Sequence, residues 1–188
     1  MHSQLFRHDV KLAITPTLAK LLLELSRSPL LRAVARGLGD DAALCELSCI
    51  ISEGGAQPQP AHADTPVLEV EAKTEHHRML AQNGARLLSV FVALGNISPS
   101  MGPTVMWPAT HKTDVHKEVH ERGKDTLRNA TGVLMDLNSG NAVLMDSRLW
   151  HCGSGNTENG VFRCVLVATF TPTRFFPVGA TYCEPQSQ

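Results

Sequence analysis

The chain of 188 residues is long enough to bury the core of one globular domain, and its 43% hydrophobic and 19% charged residues fit that class. A formal net charge of −1 gives the surface little attraction for nucleic acid or an anionic membrane. No apolar run is long enough to span a bilayer, and the first residues carry no apolar signal-peptide region. We therefore expect no nucleic-acid partner and no membrane span.

The cysteines are odd in number and show no zinc-binding spacing. The five are Cys45, Cys49, Cys152, Cys164 and Cys183. We interpret them as reduced thiols, and this predicts an intracellular, cytoplasmic protein.

The N-terminal part of the chain, up to about residue 40, is predicted to be mainly helical. Thr15 followed by Pro16 is typical of a helix start, with an N-cap hydroxyl and a proline in the first turn. Leucines then recur at helical spacing, and Pro29 divides the pattern into two helices. Residues 8–14 alternate weakly between polar and apolar, which is compatible with an outer strand.

The rest of the chain, from about residue 43 to 172, has the pattern of short strands separated by turns. Each predicted strand is apolar or alternating and is bounded by turn-forming residues. The eight segments are 43–52, 61–66, 85–95, 102–107, 132–137, 141–146, 148–152 and 161–171. They predict a mainly β fold, a double-stranded β-helix (jelly roll) of two antiparallel sheets with the N-terminal helices packed on one sheet. We expect residues 1–188 to form a single domain.

Two distant segments carry side chains that could meet at a metal ion. His62 and Asp64 are two residues apart, so in an extended segment both point to the same face. His151 could complete the set from a distant strand. Two histidines and one carboxylate on one face of an iron leave open positions for other ligands, as in non-heme Fe(II) oxygenases. A His-x-Asp pair in a proline-rich loop also occurs for turn chemistry alone.

Arg163 stands inside an apolar strand segment, where a charge is unusual. A guanidinium in such a place needs an anionic partner, and its fork binds a carboxylate through two hydrogen bonds. If 153–160 is a hairpin turn, Arg163 lies opposite His151 on the neighbouring strand. This pairing fits an organic acid that chelates the metal and is held at its far end.

Four pieces of sequence occur in an order that is specific as a set. They are 59–64 (Gln-Pro-Ala-His-Ala-Asp), 101–112 (Met-Gly-Pro-Thr-Val-Met-Trp-Pro-Ala-Thr-His-Lys), 140–146 (Gly-Asn-Ala-Val-Leu-Met-Asp) running into His151, and Arg163. With them the chain resembles, over roughly residues 43–172, the phytanoyl-CoA dioxygenase-like family of Fe(II)/2-oxoglutarate-dependent oxygenases. Ala109 stands where that family often has glycine, and we expect it to stiffen the turn.

The resemblance implies a dioxygenase that hydroxylates a small organic substrate and releases succinate and CO2. His62, Asp64 and His151 would bind Fe(II), and the keto-acid end of 2-oxoglutarate would chelate it. O2 would use the remaining position. The substrate itself and the oligomeric state are not indicated by any motif in the chain.

The resemblance also implies how the cosubstrate is held. Arg163 would pair with the distal carboxylate of 2-oxoglutarate. Thr104 and Gln59 are candidate hydrogen-bond donors to the cosubstrate, and local turn capping is an equal alternative for both.

The same residues also bear on three other functions. Related halogenases have a small residue in place of the carboxylate, so Asp64 favours hydroxylation. A non-catalytic, cupin-like metal-binding or sensor protein remains an alternative. His116 and His120 could chelate zinc from one face of a helix, although a solvated surface helix is favoured. Residues 75–78 (Glu-His-His-Arg) could form a second metal site, although a solvated loop is favoured.

Overall fold

Two antiparallel sheets and four α-helices form the part of the chain that the structure, a computed structural model, describes: residues 5–83 and 86–172. The strands are β1 (Arg7–Lys11), β2 (Ala42–Ser52), β3 (Leu88–Ala93), β4 (Thr104–Met106), β5 (Val133–Leu134), β6 (Ala142–Asp146), β7 (His151–Gly153) and β8 (Arg163–Pro172). The helices are α1 (Pro16–Ser26), α2 (Pro29–Leu38), α3 (Glu75–Gln82) and α4 (Thr113–Arg122). The larger sheet has the order β1-β2-β8-β3-β6 and the smaller one β5-β4-β7, which confirms the predicted jelly roll.

The two N-terminal helices begin where the sequence predicts. The Thr15 hydroxyl accepts a hydrogen bond from the Leu18 amide, and the Ser28 hydroxyl accepts one from the Leu31 amide. Pro29 occupies the first turn of α2, so the predicted division into two helices is confirmed. No helix of the described ranges is both long and apolar enough to cross a membrane.

The helices pack on the outer face of the larger sheet. Val34 of α2 is 1% exposed and packs with Leu47, Val90, Ala168 and Phe170 of the central strands. Burying side chains of this size contributes about 1.5–3 kcal/mol each. Leucines of both helices extend this cluster, so the prediction of helices packed on one sheet is confirmed.

A second cluster packs between parts of the two sheets. Phe91, Val165 and Val167 of the larger sheet pack with Met106 of the smaller one. Alternate residues of a strand point to opposite faces, so the inner face of β8 continues from Val165 to Arg163. The inner face is therefore apolar in the middle and polar at the end where β8 begins.

One of the eight predicted strands is wrong. Residues 61–66 form a single bridge between His62 and His151, and not a strand, because prolines at 58, 60 and 66 cannot donate ladder hydrogen bonds. The eighth strand is instead β1, at the edge of the larger sheet, where the weak alternation of 8–14 was compatible with an outer strand.

The expected hairpin between His151 and Arg163 is also wrong. Strand β7 pairs with β4 in the smaller sheet, whereas β8 pairs with β2 and β3 in the larger one. The segment between them crosses from one sheet to the other, with Asn156 buried and hydrogen-bonded to Ser52 and Val161 carbonyls. His151 and Arg163 therefore approach the same space from two sheets.

The described cysteines, Cys45, Cys49, Cys152 and Cys164, are all free thiols, as expected. Burial and the neighbouring Cys164 raise the pKa of Cys49 to about 11, so this thiol stays protonated at neutral pH. Cys183 lies outside the described residues.

Candidate active site

The two histidines lie side by side because their backbones pair directly. The His62 amide donates to the His151 carbonyl at 2.9 Å, and the His151 amide donates to the His62 carbonyl at 2.9 Å. Partners in such a bridge carry their side chains on the same face, and the ring centroids are 4.4 Å apart. The proline-rich loop is thus fixed against β7 at His62, which places the two imidazole rings side by side.

Asp64 is positioned by the turn that precedes β7. The amides of Asp64 and Thr65 both donate to the Ser147 carbonyl, at 2.9 and 3.0 Å. The buried Ser147 hydroxyl contacts the Thr65 hydroxyl at 2.6 Å and accepts from the Leu87 amide at 3.2 Å. These contacts connect the loop of His62 and Asp64 to the chain segment that leads into His151.

The three side chains converge on one point. Nδ1 of His62 and Nδ1 of His151 each lie 2.9 Å from a backbone carbonyl, of Pro60 and Leu149. A carbonyl only accepts, so both Nδ1 atoms carry the hydrogen and both Nε2 atoms keep a free lone pair in the neutral rings. The Nε2 atoms lie 3.7 and 3.6 Å from the two carboxylate oxygens of Asp64.

This set of atoms could hold a metal ion. The ligand atoms lie within 4.8 Å of one another, and no other such group of three or more occurs among residues 5–83 and 86–172. Burial and the adjacent His151 lower the pKa of His62, so its ring is neutral at pH 7. Two lone pairs that face a carboxylate repel it, and a cation among them removes that repulsion.

Arg163 is buried, and no residue of 5–83 or 86–172 gives it an anionic partner. It is 3% exposed, and its Nη1 donates to the Thr104 hydroxyl at 3.2 Å. Its Nε has no hydrogen-bond partner among the described residues. Burial, with a smaller contribution from the charge of Arg7, lowers the pKa of Arg163 to about 10. A group of this pKa remains a cation at pH 7 and is well placed to bind an anion.

Gln59 is held against Gly153 of β7 by two hydrogen bonds. The backbone amide of Gln59 donates to the Gly153 carbonyl at 2.8 Å, and the side-chain Oε1 accepts from the Gly153 amide at 2.9 Å. The side-chain oxygen therefore serves the backbone of β7, as in the capping alternative. The Nε2 group is the donor left for a bound molecule.

All six residues singled out from the sequence line one cavity of about 1100 Å³: Gln59, His62, Asp64, Thr104, His151 and Arg163. The cavity lies between the sheets, with Phe91, Val165 and Val167 as apolar walls. A smaller cavity of about 560 Å³ shares Gln59, His62 and Asp64 with it. The candidate metal centre thus borders both spaces.

Arg7 is a residue of the cavity wall that the sequence does not point to. It is 6% exposed, lines the larger cavity, and donates from Nη2 to the carbonyls of Gln57 and Ser154. Burial lowers its pKa, although the nearby Cys152 partly offsets this. No local motif marks Arg7, since its partners lie 50 and 147 residues away in the chain.

His116 and His120 do not converge on a metal site, and residues 75–78 begin helix α3 instead of forming the expected loop. His116 is fully buried, contacts the Glu71 carboxylate at 2.9 Å through Nδ1, and contacts the Arg148 carbonyl at 2.9 Å through Nε2. Burial raises the pKa of Glu71, but the bonds from His116 and two backbone amides outweigh it and lower the pKa overall. His120 lies on the exposed face of α4. His116 therefore anchors α4, as part of the structure.

The fold and the site define a class: a double-stranded β-helix with a candidate His-x-Asp…His metal centre on its inner face. Within that class, the chain belongs to the phytanoyl-CoA dioxygenase (PhyH) family, whose sequence pattern matches residues 1–164. The family predicted from the sequence is thereby confirmed. Dioxygenase af480 of Aspergillus fumigatus is 24% identical over 147 residues, which cover 75% of this chain and 41% of that protein. This chain thus matches about two fifths of the length of that curated relative.

Solved structures share the fold. HygX from Streptomyces hygroscopicus, with nickel, 2-oxoglutarate and hygromycin B bound, gives a TM-score of 0.64 at 16% identity, covering 90% of this chain and 71% of HygX. EctD from S. alaskensis with bound Fe gives a TM-score of 0.60 at 22% identity, covering 82% of this chain and 54% of EctD. The epimerase SnoN, in complex with Fe3+ and alpha ketoglutarate, gives 0.62 at 16% identity, covering 97% of this chain and 74% of SnoN.

Proposed function

We propose that this protein is an Fe(II)- and 2-oxoglutarate-dependent dioxygenase that hydroxylates a small organic substrate. One observation carries the proposal: two free imidazole Nε2 atoms and a carboxylate converge in the same cavity that holds an uncompensated, buried arginine. A metal site alone leaves the arginine unexplained, whereas an anion that also chelates the metal accounts for the converging ligand atoms and for the buried arginine. The metal and 2-oxoglutarate bound in HygX, a protein of the same fold, support this combination.

His62, Asp64 and His151 fit ferrous iron as a facial set of two imidazoles and one carboxylate. Their role is to hold the ion while leaving positions on its other side free. The carbonyls behind each Nδ1 fix the ring orientation and make each Nε2 a better ligand. Asp64, with its side chain 45% exposed, remains reachable from the smaller cavity.

Arg163, Thr104 and Gln59 are proposed to hold 2-oxoglutarate. Arg163 would bind the distal carboxylate of 2-oxoglutarate. The Thr104 hydroxyl accepts a hydrogen bond from Arg163 and can donate its own hydrogen to that carboxylate. Gln59 would donate from Nε2, since its oxygen is occupied by Gly153. Phe91, Val165 and Val167 would exclude water along the carbon chain of the cosubstrate.

Bound ferrous iron would supply the activation of O2 and the oxidative decarboxylation of the cosubstrate. Overall, substrate, 2-oxoglutarate and O2 give hydroxylated substrate, succinate and CO2, in which one oxygen atom enters the substrate and the other enters succinate. Asp64 keeps a carboxylate where a halogenase has a small residue, so hydroxylation is the proposed outcome.

The substrate is proposed to approach through the smaller cavity. That cavity borders His62 and Asp64 and is also lined by Lys73, Lys124 and Trp150. Lys124 donates to the Ala61 carbonyl at 2.6 Å and lies 5.5 Å from the Trp150 ring centroid, so it is fixed at the rim of the smaller cavity.

We further propose that the chain acts as one catalytic domain in the reducing interior of the cell, where ferrous iron and the free thiols persist.

The test is succinate formation from 2-oxoglutarate by the Fe(II) protein under air, with candidate substrates added in turn. We expect succinate from the unmodified protein and none from His151→Ala, with no chlorinated product at high chloride. A protein that binds Fe(II) and 2-oxoglutarate but forms no succinate with any substrate would instead be a metal-dependent binding or sensor protein.

A further inference from the structure

Two lysines from separate parts of the chain line the smaller cavity. Lys73 lies just before helix α3, and Lys124 follows helix α4. The same cavity, of about 560 Å³, is bordered by His62 and Asp64. A group bound by the lysines would therefore lie beside the candidate metal centre, on a molecule that can reach it.

The Lys124 ammonium is held in place before any ligand arrives. It donates to the Ala61 carbonyl at 2.6 Å, and Ala61 directly precedes His62 in the chain. It also lies 5.5 Å from the centroid of the Trp150 ring. An ammonium carries three donors, so two remain for a ligand, and binding through a group that is already held costs little further side-chain entropy.

Lys73 places a second positive charge near the point where the two cavities adjoin. Burial lowers the pKa of His77, and the charge of Lys73 lowers it further, so the ammonium lies within electrostatic reach of that ring. His77 lines both the larger and the smaller cavity. The Lys73 charge therefore acts on the space through which a substrate would pass to the metal.

The carboxylates of the smaller cavity do not neutralise these lysines. The cavity is lined by Asp64, a candidate metal ligand, and by Glu71. Glu71 accepts from the backbone amides of residues 67 and 68 and contacts Nδ1 of His116 at 2.9 Å, so its oxygens are already used.

Carboxylates close in sequence are also engaged elsewhere. Glu75 pairs with Arg78, and Asp125 pairs with Arg128. Among residues 5–83 and 86–172, the ion pairs of lysine and arginine include neither Lys73 nor Lys124. Both ammonium groups are therefore available to a bound anion.

A loaded site would leave these two charges in excess. The positive charges of ferrous iron and Arg163 offset the negative charges of Asp64 and 2-oxoglutarate. Lys73 and Lys124 then remain as like charges at one cavity, and an anion between them removes their repulsion. A neutral substrate would leave both lysines without a partner.

We infer that the substrate is an organic anion, whose carboxylate or phosphate group is bound by Lys73 and Lys124 while its carbon chain extends toward the candidate metal centre. An ammonium acts as a compact point charge and accepts either kind of anion, without the fixed geometry of a guanidinium fork. The inference rests on the proposed function and adds the chemical class of the substrate.

The experiment compares three probes with the same six-carbon chain: hexanoate, hexyl phosphate and the neutral hexanamide. Each is titrated by calorimetry into anaerobic protein loaded with Fe(II) and 2-oxoglutarate, so that the metal and Arg163 are already occupied. We expect at least one anion to bind about ten-fold or more tightly than hexanamide, since each charged contact at an exposed rim contributes up to about 1 kcal/mol. The tighter of the two anions identifies the anionic group.

Substitution of the lysines locates the binding. Lys73→Met and Lys124→Met should each weaken anion binding by about three-fold, and the double variant by about ten-fold, with hexanamide unchanged. Lys117→Met, which removes an exposed charge on α4 that lines neither cavity, should alter no affinity. Lys73 has no hydrogen bond or ion pair among the described residues, so its substitution tests the site without loss of a structural contact.

Three results overturn the inference: anions that bind no more tightly than hexanamide, anions that do not bind, and lysine variants that bind all three probes as wild type does. The proposed function is tested separately by the metal-to-ligand absorption band on loading. If no band forms, the titrations are repeated on metal-free protein. An anion preference that the lysine double variant abolishes would then leave the anion site standing while the proposed function fails.

Discussion

Replacing Arg163 by methionine tests whether the buried charge exists for ligand binding. Methionine fills similar volume and removes the charge and the hydrogen bond to Thr104. Arg163 is 3% exposed and has no anionic partner among the described residues, so its desolvation is uncompensated in the free protein. Removing the buried charge should raise the free energy of unfolding by roughly 1–4 kcal/mol. Loss of the hydrogen bond to Thr104 should lower it by about 1 kcal/mol.

The same change should strongly weaken binding of 2-oxoglutarate. Truncating one partner of a buried charge pair costs about 2–5 kcal/mol, which corresponds to roughly thirty-fold to a few thousand-fold in affinity. Metal affinity should stay unchanged, because Arg163 lies on β8 and is not among the three converging ligands. Arg163→Lys should recover only part of the loss.

The assay pairs thermal unfolding of the free protein with anaerobic 2-oxoglutarate titration of the Fe(II) protein. Arg36→Met, an exposed arginine on α2, is the matched control and should alter neither quantity. If Arg163→Met binds 2-oxoglutarate as tightly as wild type, or is clearly less stable than it, the arginine is a structural residue and the reasoning is refuted.

Four further substitutions test the framework of the site. His62→Ala and His151→Ala should each weaken Fe(II) binding by at least roughly 100-fold in a metal titration, whereas His120→Ala, on the exposed face of α4, should leave it unchanged. Ser147→Ala removes two buried hydrogen bonds of the hydroxyl and should lower the free energy of unfolding by about 1–3 kcal/mol, with weaker metal binding as well; denaturant unfolding at an unchanged midpoint would argue against this. Ala109 has φ of 65°, so Ala109→Gly should stabilise the protein by about 0.5–1 kcal/mol, and a lower melting temperature would contradict the assigned strain.

The sequence by itself determined most of the helices and strands and the chemistry that they carry. The helix starts at Thr15 and Ser28 follow from local capping, which depends on neighbours three residues away. The buried strands follow from runs of apolar residues with turn residues between them. The His-x-Asp spacing identified His62 and Asp64 as candidate metal ligands. The charge inside an apolar strand identified Arg163 as a candidate anion-binding residue. Such signals depend on residues that are close in sequence, so they can be recognised without knowledge of the fold.

Only the tertiary structure decided which elements face each other. The 61–66 segment has strand-like composition, but its prolines limit pairing to the single bridge that aligns His62 with His151. His151 and Arg163 were expected on one hairpin and instead line one cavity from opposite sheets, because the segment between them crosses the jelly roll. Arg7 became a residue of the cavity wall only through strand pairing with Ser52 and carbonyls 50 and 147 residues away. Contacts of that range depend on the packing of two whole sheets, which no local pattern encodes.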